Sequence, residues 1–284
     1  MEKTETIDQQ RSETIELAVR ENIAYLKFTQ PEKANAMTKA FWSDFPKALD
    51  HLAAQNNVRA LIISGEGKHF SSGMDLSVFS KNENLNTGTA RERERLRGLV
   101  LHLQGIFSKL ESLRFPVIAA IQGACIGGAL DLVCACDMRY ASRNAYFCVQ
   151  ETNLAMMADL GVLQRLPKLI PSGIARELCF TGEKLLADRA YELGLVSSVF
   201  ETEEQLYTHV KSVAQLIASK SPLAIAATKE AINFARDNSV NSALSHAALM
   251  QSSLLDGWDL ANAATAISKK GTAEFEALLA AGSL

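Results

Sequence analysis

The sequence contains no uninterrupted apolar run of the roughly 18 residues that a membrane-spanning helix needs, which excludes a helical integral membrane protein. Excess positive charge is also missing. Lys and Arg number 29 against 32 Asp and Glu, a formal net charge of −3, and this argues against a nucleic-acid surface built on bulk basic charge. Histidines are few: His51, His69, His102, His209 and His246 fall in no H-x-x-x-H or H-E-x-x-H pattern, so no metal site is expected. The five cysteines include no C-x-x-C pair and sit among apolar neighbours, which reads as buried thiols in a reducing compartment. The opening MEKTETIDQQRSET lacks the apolar core of a secretory signal and is too acidic for a good organellar transit peptide. The final Gly-Ser-Leu is not the Ser-Lys-Leu peroxisomal address. The expectation is a soluble cytoplasmic protein.

What is present is enough chain for a large α/β core with an appendage: 284 residues of ordinary composition. Residues 1–14 read as a flexible tail. Glu16–Arg20 and Ile23–Phe28 alternate around Glu21-Asn22 as a hairpin does, and Thr38 is placed to cap a helix reaching about Ala54. Strand-like and helical segments then follow one another to residue 200, which suggests repeated ββα turns. Beyond residue 201 the pattern turns almost wholly helical, with expected helices at 203–219, 222–238, 240–253 and 258–280. The division predicted is therefore 1–14 tail, 15–200 core, 201–284 helical region.

The chain is organised around residues 121–167. A β-like segment breaks at Gly123 and at Gly127-Gly128 before an apolar helical run from Ala129 to Cys136. Paired glycines between strand and helix let backbone approach a ligand while the first helical N–H groups are still unpaired, an arrangement suited to an oxygen that gains negative charge. Three carboxylates occupy odd places nearby. Asp131 lies in the apolar helical run, Glu151 closes a strand-like segment, and Asp159 follows an apolar loop. Acids among apolar neighbours hold protons at higher pH and can exchange them near neutrality. Oxyanion donors with such acids fit proton abstraction beside a carbonyl. The plainer readings are a polar strand terminator for Glu151, an ion-pair partner of Arg139 or Arg165 for Asp131, and a helix cap for Asp159.

The run resembles the crotonase (enoyl-CoA hydratase/isomerase) superfamily, and within it the Δ3,5-Δ2,4-dienoyl-CoA isomerases. In that subfamily three acids recur at intervals of twenty and eight residues, and Asp131, Glu151 and Asp159 repeat both intervals. Ordinary hydratases carry Glu at the first position and Gly at the third, so Asp159 divides the two readings. The second glycine loop, His69 to Leu76, resembles the other signature of the superfamily.

The resemblance implies a crotonase-like ββα superhelix with a C-terminal helical region. It also implies an oxyanion hole from the amides of Met74 and Gly128, and catalytic acids Asp131, Glu151 and Asp159. Contacts to an acyl-CoA would come from Lys33, Ala34, Ser72, Gly73, Asp75, Leu76 and Gly127. Implied further are no cofactor beyond the CoA thioester and a homotrimer or homohexamer. The charged stretch 80–97 is expected to be a partly mobile lid bordering the acyl pocket. Alternative readings are an enoyl-CoA hydratase or Δ3-Δ2-enoyl-CoA isomerase, or a binding protein of the same fold without chemistry.

Overall fold

The computed structural model describes residues 8–79 and 85–280. A seven-stranded sheet runs in the order β1-β2-β3-β4-β5-β7-β10 and a three-stranded sheet in the order β6-β8-β9. The large sheet is made of β1 (Asp8–Arg11), β2 (Ile15–Arg20), β3 (Ile23–Phe28), β4 (Ala60–Gly65), β5 (Val117–Ile121), β7 (Met138–Ser142) and β10 (Val199–Phe200). The small one is made of β6 (Ala124–Ile126), β8 (Tyr146–Cys148) and β9 (Leu185–Leu186). Glu21 and Asn22 both take positive φ, 52° and 62°, which is the turn a two-residue β2–β3 hairpin requires.

Each later turn of the chain gives one strand to each sheet and then a helix: β5, β6 and α3 (Gly128–Cys134), then β7, β8 and α4 (Val162–Leu169). The first turns follow the same plan with α1 (Lys39–Ala54) and α2 (Ala90–Ser112). Isolated parallel bridges Met37↔Met74 and Ser71↔Cys125 continue the small sheet across these turns. The ladder therefore steps from Met37 to Met74, from Ser71 to Cys125, and on through β6 to β8. This is what sets two glycine loops, some fifty residues apart in sequence, side by side.

Apolar residues fill both faces of the large sheet. Strand β5 is buried throughout, as a strand covered on both sides must be. Phe28 of β3, Phe41 and Phe45 of α1, Phe107 of α2 and Phe70 belong to one buried cluster. On the outer face Leu206, Val210 and Ala214 of α7 (Glu203–Ala218) cover Ile23, Ile62 and Ile118. Their spacing of four residues keeps one helix face on the sheet, and full burial of the Leu and Val is worth about 1.5–3 kcal/mol each. Small helices α5 (Ser172–Thr181) and α6 (Ala187–Glu192) complete the core. Then come α8 (Pro222–Asp237), α9 (Val240–Leu254) and α10 (Gly257–Ser268).

Two expectations are corrected. Residues 8–11 are not a flexible tail but an edge strand, paired antiparallel with β2 from Asp8↔Val19 to Arg11↔Glu16; residues 1–7 lie outside the described residues. The last helix ends at Ser268, not at 280, because Arg59 and Arg114 donate to the carbonyls of Phe275 and Leu279 and hold the remaining chain extended. The charged stretch 80–97 enters α2 at Ala90, and Leu96 near its end borders a cavity. Its entry is fixed by a reciprocal capping box between Thr89 and Glu92, while residues 80–84 lie outside the described residues.

Candidate active site

The site is built from four loops at one end of the strands. Thr38 caps α1 by accepting from the Phe41 amide, which fixes the loop 30–37. Asn35, buried and left-handed at φ 52°, donates to the carbonyls of Glu66 and His69 at 2.9 and 2.8 Å and accepts from the Gln30 amide at 3.0 Å. One side chain so ties the first loop to the second. Gln122 does the same from β5, donating to the Gly65 carbonyl at 2.6 Å. His69 Nδ1 accepts from the Ala124 amide at 3.1 Å and joins the second glycine loop to the third. Burial, then the charge of Lys68, lowers the His69 pKa, which keeps the ring neutral and able to accept.

Two amides converge here. Met37 donates its amide to the Gly73 carbonyl at 2.8 Å and accepts from the Asp75 amide at 3.3 Å. In a parallel pair this turns the amide of Met74 away from Met37. On that other side stands Gly128, first residue of α3, whose N–H has no acceptor within its own helix. A β-carbon placed on Gly128 would lie 3.9 Å from the Met74 nitrogen, and one on Gly73 would lie 3.3 Å from the Gly128 nitrogen. The Met74 side chain is drawn aside, its sulfur accepting from Trp42 Nε1 at 3.2 Å. Gly127 holds φ 53° and ψ −124°, a region open in practice only to glycine, and donates its amide to the Cys148 carbonyl at 2.9 Å.

A cavity of about 970 Å³ opens in front of this pair. Ser72, Met74, Gly127, Gly128, Glu151 and Asp159 line its polar end. Leu96, Leu99, Val100 and Leu103 of α2, with Leu154, Met156 and Leu160, form an apolar wall. Glu151 begins a 3-10 turn, Glu151–Leu154, directly after β8, and its Oε1 would stand 3.2 Å from a β-carbon on Gly127. Its carboxyl is thus next to the amide pair. Burial and the charge of Asp159 raise the Glu151 pKa, and burial raises that of Asp159.

The third acid is elsewhere. Asp131 is fully buried and does not line the cavity. Its Oδ1 accepts from the Val162 amide at 2.6 Å, while its Oδ2 and Glu151 Oε2 are buried without a hydrogen-bond partner among the described residues. Burial, then the charge of Glu151, pushes its pKa well above 3.8. The ion-pair reading of Asp131 does not hold. Arg139 donates to the carbonyls of Leu195, Val133 and Cys136, and Arg165 pairs with Glu111. Nor does Asp159 cap α4, for that position is taken by Asp131.

Of the expected substrate contacts, Ser72, Asp75, Leu76 and Gly127 line the cavity. Gly73 sits at φ 83° with no room for a side chain against the Ile126 carbonyl. Ala34, left-handed at φ 50°, accepts the Ser72 amide at 2.9 Å, and Lys33 is exposed in the turn before it. Neither Ala34 nor Lys33 lines the cavity. Among the described residues no cluster of His, Cys, Asp and Glu is arranged to hold a metal, and no helix is long and apolar enough to cross a membrane. Sequence reading missed Asn35, Gln122 and Gln104; the last donates to the Asp159 carbonyl at 2.6 Å.

Two neighbouring backbone amides and two acids of raised pKa line one largely apolar cavity, the parts an enzyme needs to act beside a carbonyl. The chain belongs to the Enoyl-CoA hydratase/isomerase family, which it matches over residues 18–277. Among its relatives is the peroxisomal Δ3,5-Δ2,4-dienoyl-CoA isomerase of Arabidopsis thaliana, 40% identical over 260 residues covering 90% of this chain and 94% of the relative. The mitochondrial Δ3,5-Δ2,4-dienoyl-CoA isomerase of Homo sapiens is 37% identical, with coverages of 86% and 75%. The crystal structure of an enoyl-CoA hydratase from Bacillus anthracis superposes with a TM-score of 0.82 at 28% identity, covering 95% of this chain and 99% of the other.

These relatives correct the expectation of a cytoplasmic protein, since those at 36–40% identity are peroxisomal or mitochondrial. The physical reason is that an organelle address is a short segment read by a receptor and independent of the fold. A polar start and an end other than Ser-Lys-Leu do not assign the cytoplasm.

Proposed function

We propose that this protein isomerises 3,5-dienoyl-CoA to 2,4-dienoyl-CoA in fatty-acid breakdown, with the CoA thioester as its only cofactor-like group. The observation that carries the reading is that Glu151 and Asp159, and not Asp131, share one cavity with the paired amides. The relatives named above, themselves Δ3,5-Δ2,4-dienoyl-CoA isomerases, support it.

The thioester oxygen accepts from the amides of Met74 and Gly128, each worth about 3 kcal/mol of barrier once charge builds on that oxygen. Glu151, beside the amide pair, takes a proton from C2. The electron pair of that C–H bond moves into a trienolate delocalised from the oxygen to C6. Asp159, farther along the cavity, gives a proton to C6 and leaves double bonds at 2,3 and 4,5. Burial raises the pKa of both acids, which shifts each toward holding a proton it can give up. Asp131 holds α4, and with it the Asp159 loop, in place.

The acyl chain lies along the apolar wall from α2. Helices α8 to α10 expose Ile232, Val240, Leu244, Leu249 and Ile267, and other copies of the chain cover this face in a homotrimer or homohexamer. The test gives purified protein a 3,5-dienoyl-CoA and a 2-enoyl-CoA and follows the absorbance of each. Conversion of the first alone is expected. Fast hydration of the second with the first untouched overturns the reading in favour of a hydratase, and silence on both overturns it in favour of a binding protein.

A further inference from the structure

Asp159 sits in a segment with no regular structure between the 3-10 turn and α4, flanked by buried Ala158 and Leu160. Met156 donates its amide back to the Glu151 carbonyl, and Gly161 at φ 128° starts α4. Between them, among the described residues, one hydrogen bond from another element reaches residues 157–160: Gln104 Nε2 to the Asp159 carbonyl, 2.6 Å. Gln104 belongs to α2. The cavity-lining residues of that helix are Leu96, Leu99, Val100 and Leu103, spaced i, i+3, i+4 and i+7. Position i+8 on the same face is Gln104. The cavity-lining part of this stripe is thus followed by one polar side chain before buried Phe107 continues the face, and that side chain grips the backbone of an acid in the cavity.

We infer that Gln104 is a positioning residue that sets where Asp159 stands over the acyl chain. Resting on the isomerase reading, it couples the acyl-binding face of α2 to the acid that returns the second proton. Asp159 otherwise hangs on the packing of Ala158 and Leu160, which fixes depth but not rotation about the loop. A carbonyl held at hydrogen-bond length fixes the peptide plane, and with it the direction in which the Asp159 side chain leaves the backbone. Glu151 has separate support, because its turn follows β8 and its carboxyl rests against Gly127. Loss of the Gln104 bond should therefore harm the two proton transfers unequally. Removal at C2 continues, the trienolate is reprotonated at C2 by Glu151, and delivery to C6 fails.

The experiment uses the full chain and a 3,5-dienoyl-CoA in D₂O, comparing native protein with Gln104→Met, which keeps length and loses the donor, and Gln104→Lys, which restores one. Two rates are read: appearance of the 2,4-diene, and deuterium entering C2 of recovered substrate. For Gln104→Met the expected result is a fall of tenfold or more in kcat for isomerisation, KM within about threefold, and C2 exchange retained. Gln104→Lys recovers part of the loss. Native isomerisation by Gln104→Met overturns the inference and leaves the isomerase reading standing. An equal fall in exchange and isomerisation also overturns it, since that marks a general structural role. Native protein that does not form the 2,4-diene removes both.

Discussion

Asp131 Oδ1 accepts the Val162 amide at 2.6 Å, so a carboxyl on α3 caps α4 across 31 residues of sequence. Gly161, the residue before that amide, has no side chain to do it. The bond favours the ionised carboxylate, yet full burial and the neighbouring charge of Glu151 outweigh it and raise the pKa well above 3.8. Below pH 3.8 folded and unfolded chains both carry the proton. Above it the unfolded chain ionises first, so this group's contribution to stability falls as pH rises toward the folded pKa. Asp131→Asn keeps an acceptor for Val162 and cannot ionise. Denaturant melts at several pH values should find it as stable as native protein at pH 7 or more so, with a flatter decline from about pH 4 upward. Asp131→Leu orphans a buried amide and should cost about 1–3 kcal/mol. A larger loss for the Asn variant at neutral pH would contradict this account.

Gly127→Ala tests the glycine loop. The new methyl group meets two obstacles: a backbone at φ 53°, and Glu151 Oε1 at 3.2 Å. Backbone strain of about 1–3 kcal/mol is expected in thermal or urea melts, together with at least a tenfold loss of kcat as Glu151 is displaced. A variant with native turnover would remove Glu151 from the chemistry.

Much of this was readable from local signals. Thr38, the Glu21-Asn22 turn and the Gly127-Gly128 break each act on their own few neighbours, and short-range chemistry fixes them. Asp131 was visible as an acid in an apolar helix, but its partner, an amide 31 residues away, was not. Gln104 looked like one more polar residue in a charged helix. Only the cavity distinguishes its face from the rest. The chain after Ser268 carries helix-forming alanines and leucines that alone favour a helix. Arg59 and Arg114, from β-strand flanks far off in sequence, override that preference through the carbonyls they hold. Strand β1 was hidden for the same reason, as its own four residues are all polar and only the pairing with β2 makes them a strand.

Lys229 anchors the helical region to the core. Buried on α8, its Nζ donates to the carbonyls of Leu110 and Phe115 and pairs with Asp137 Oδ2 at 2.8 Å. Asp137 Oδ2 also accepts the Val117 amide at 2.7 Å, at the start of β5. Lys229→Met leaves a partly buried carboxylate and two carbonyls without that partner. A destabilisation of about 3 kcal/mol is expected, measured by urea unfolding. A change under about 0.5 kcal/mol, the usual range for surface substitutions, would show that the Lys229 bonds do not hold α8 in place.

The pH profile of isomerisation follows from the raised pKa values of Glu151 and Asp159. One acid must be ionised to take a proton and the other protonated to give one. The two titrate as a coupled pair, and kcat/KM should be bell-shaped with both limbs above the ordinary Glu and Asp values. Activity is lost as pH falls below the lower limb, where both are protonated, and above the upper limb, where both are ionised. In Glu151→Gln the bell should be lost along with the activity. A profile flat from about pH 4 to 9 would contradict two-acid chemistry.

A crystal structure with a bound 2,4-dienoyl-CoA decides the matter most directly. The account predicts the thioester oxygen within about 3 Å of both the Met74 and Gly128 nitrogens, C2 beside Glu151, and C6 beside Asp159. A thioester oxygen bonded elsewhere, or an acyl chain that bypasses Asp159, would contradict it.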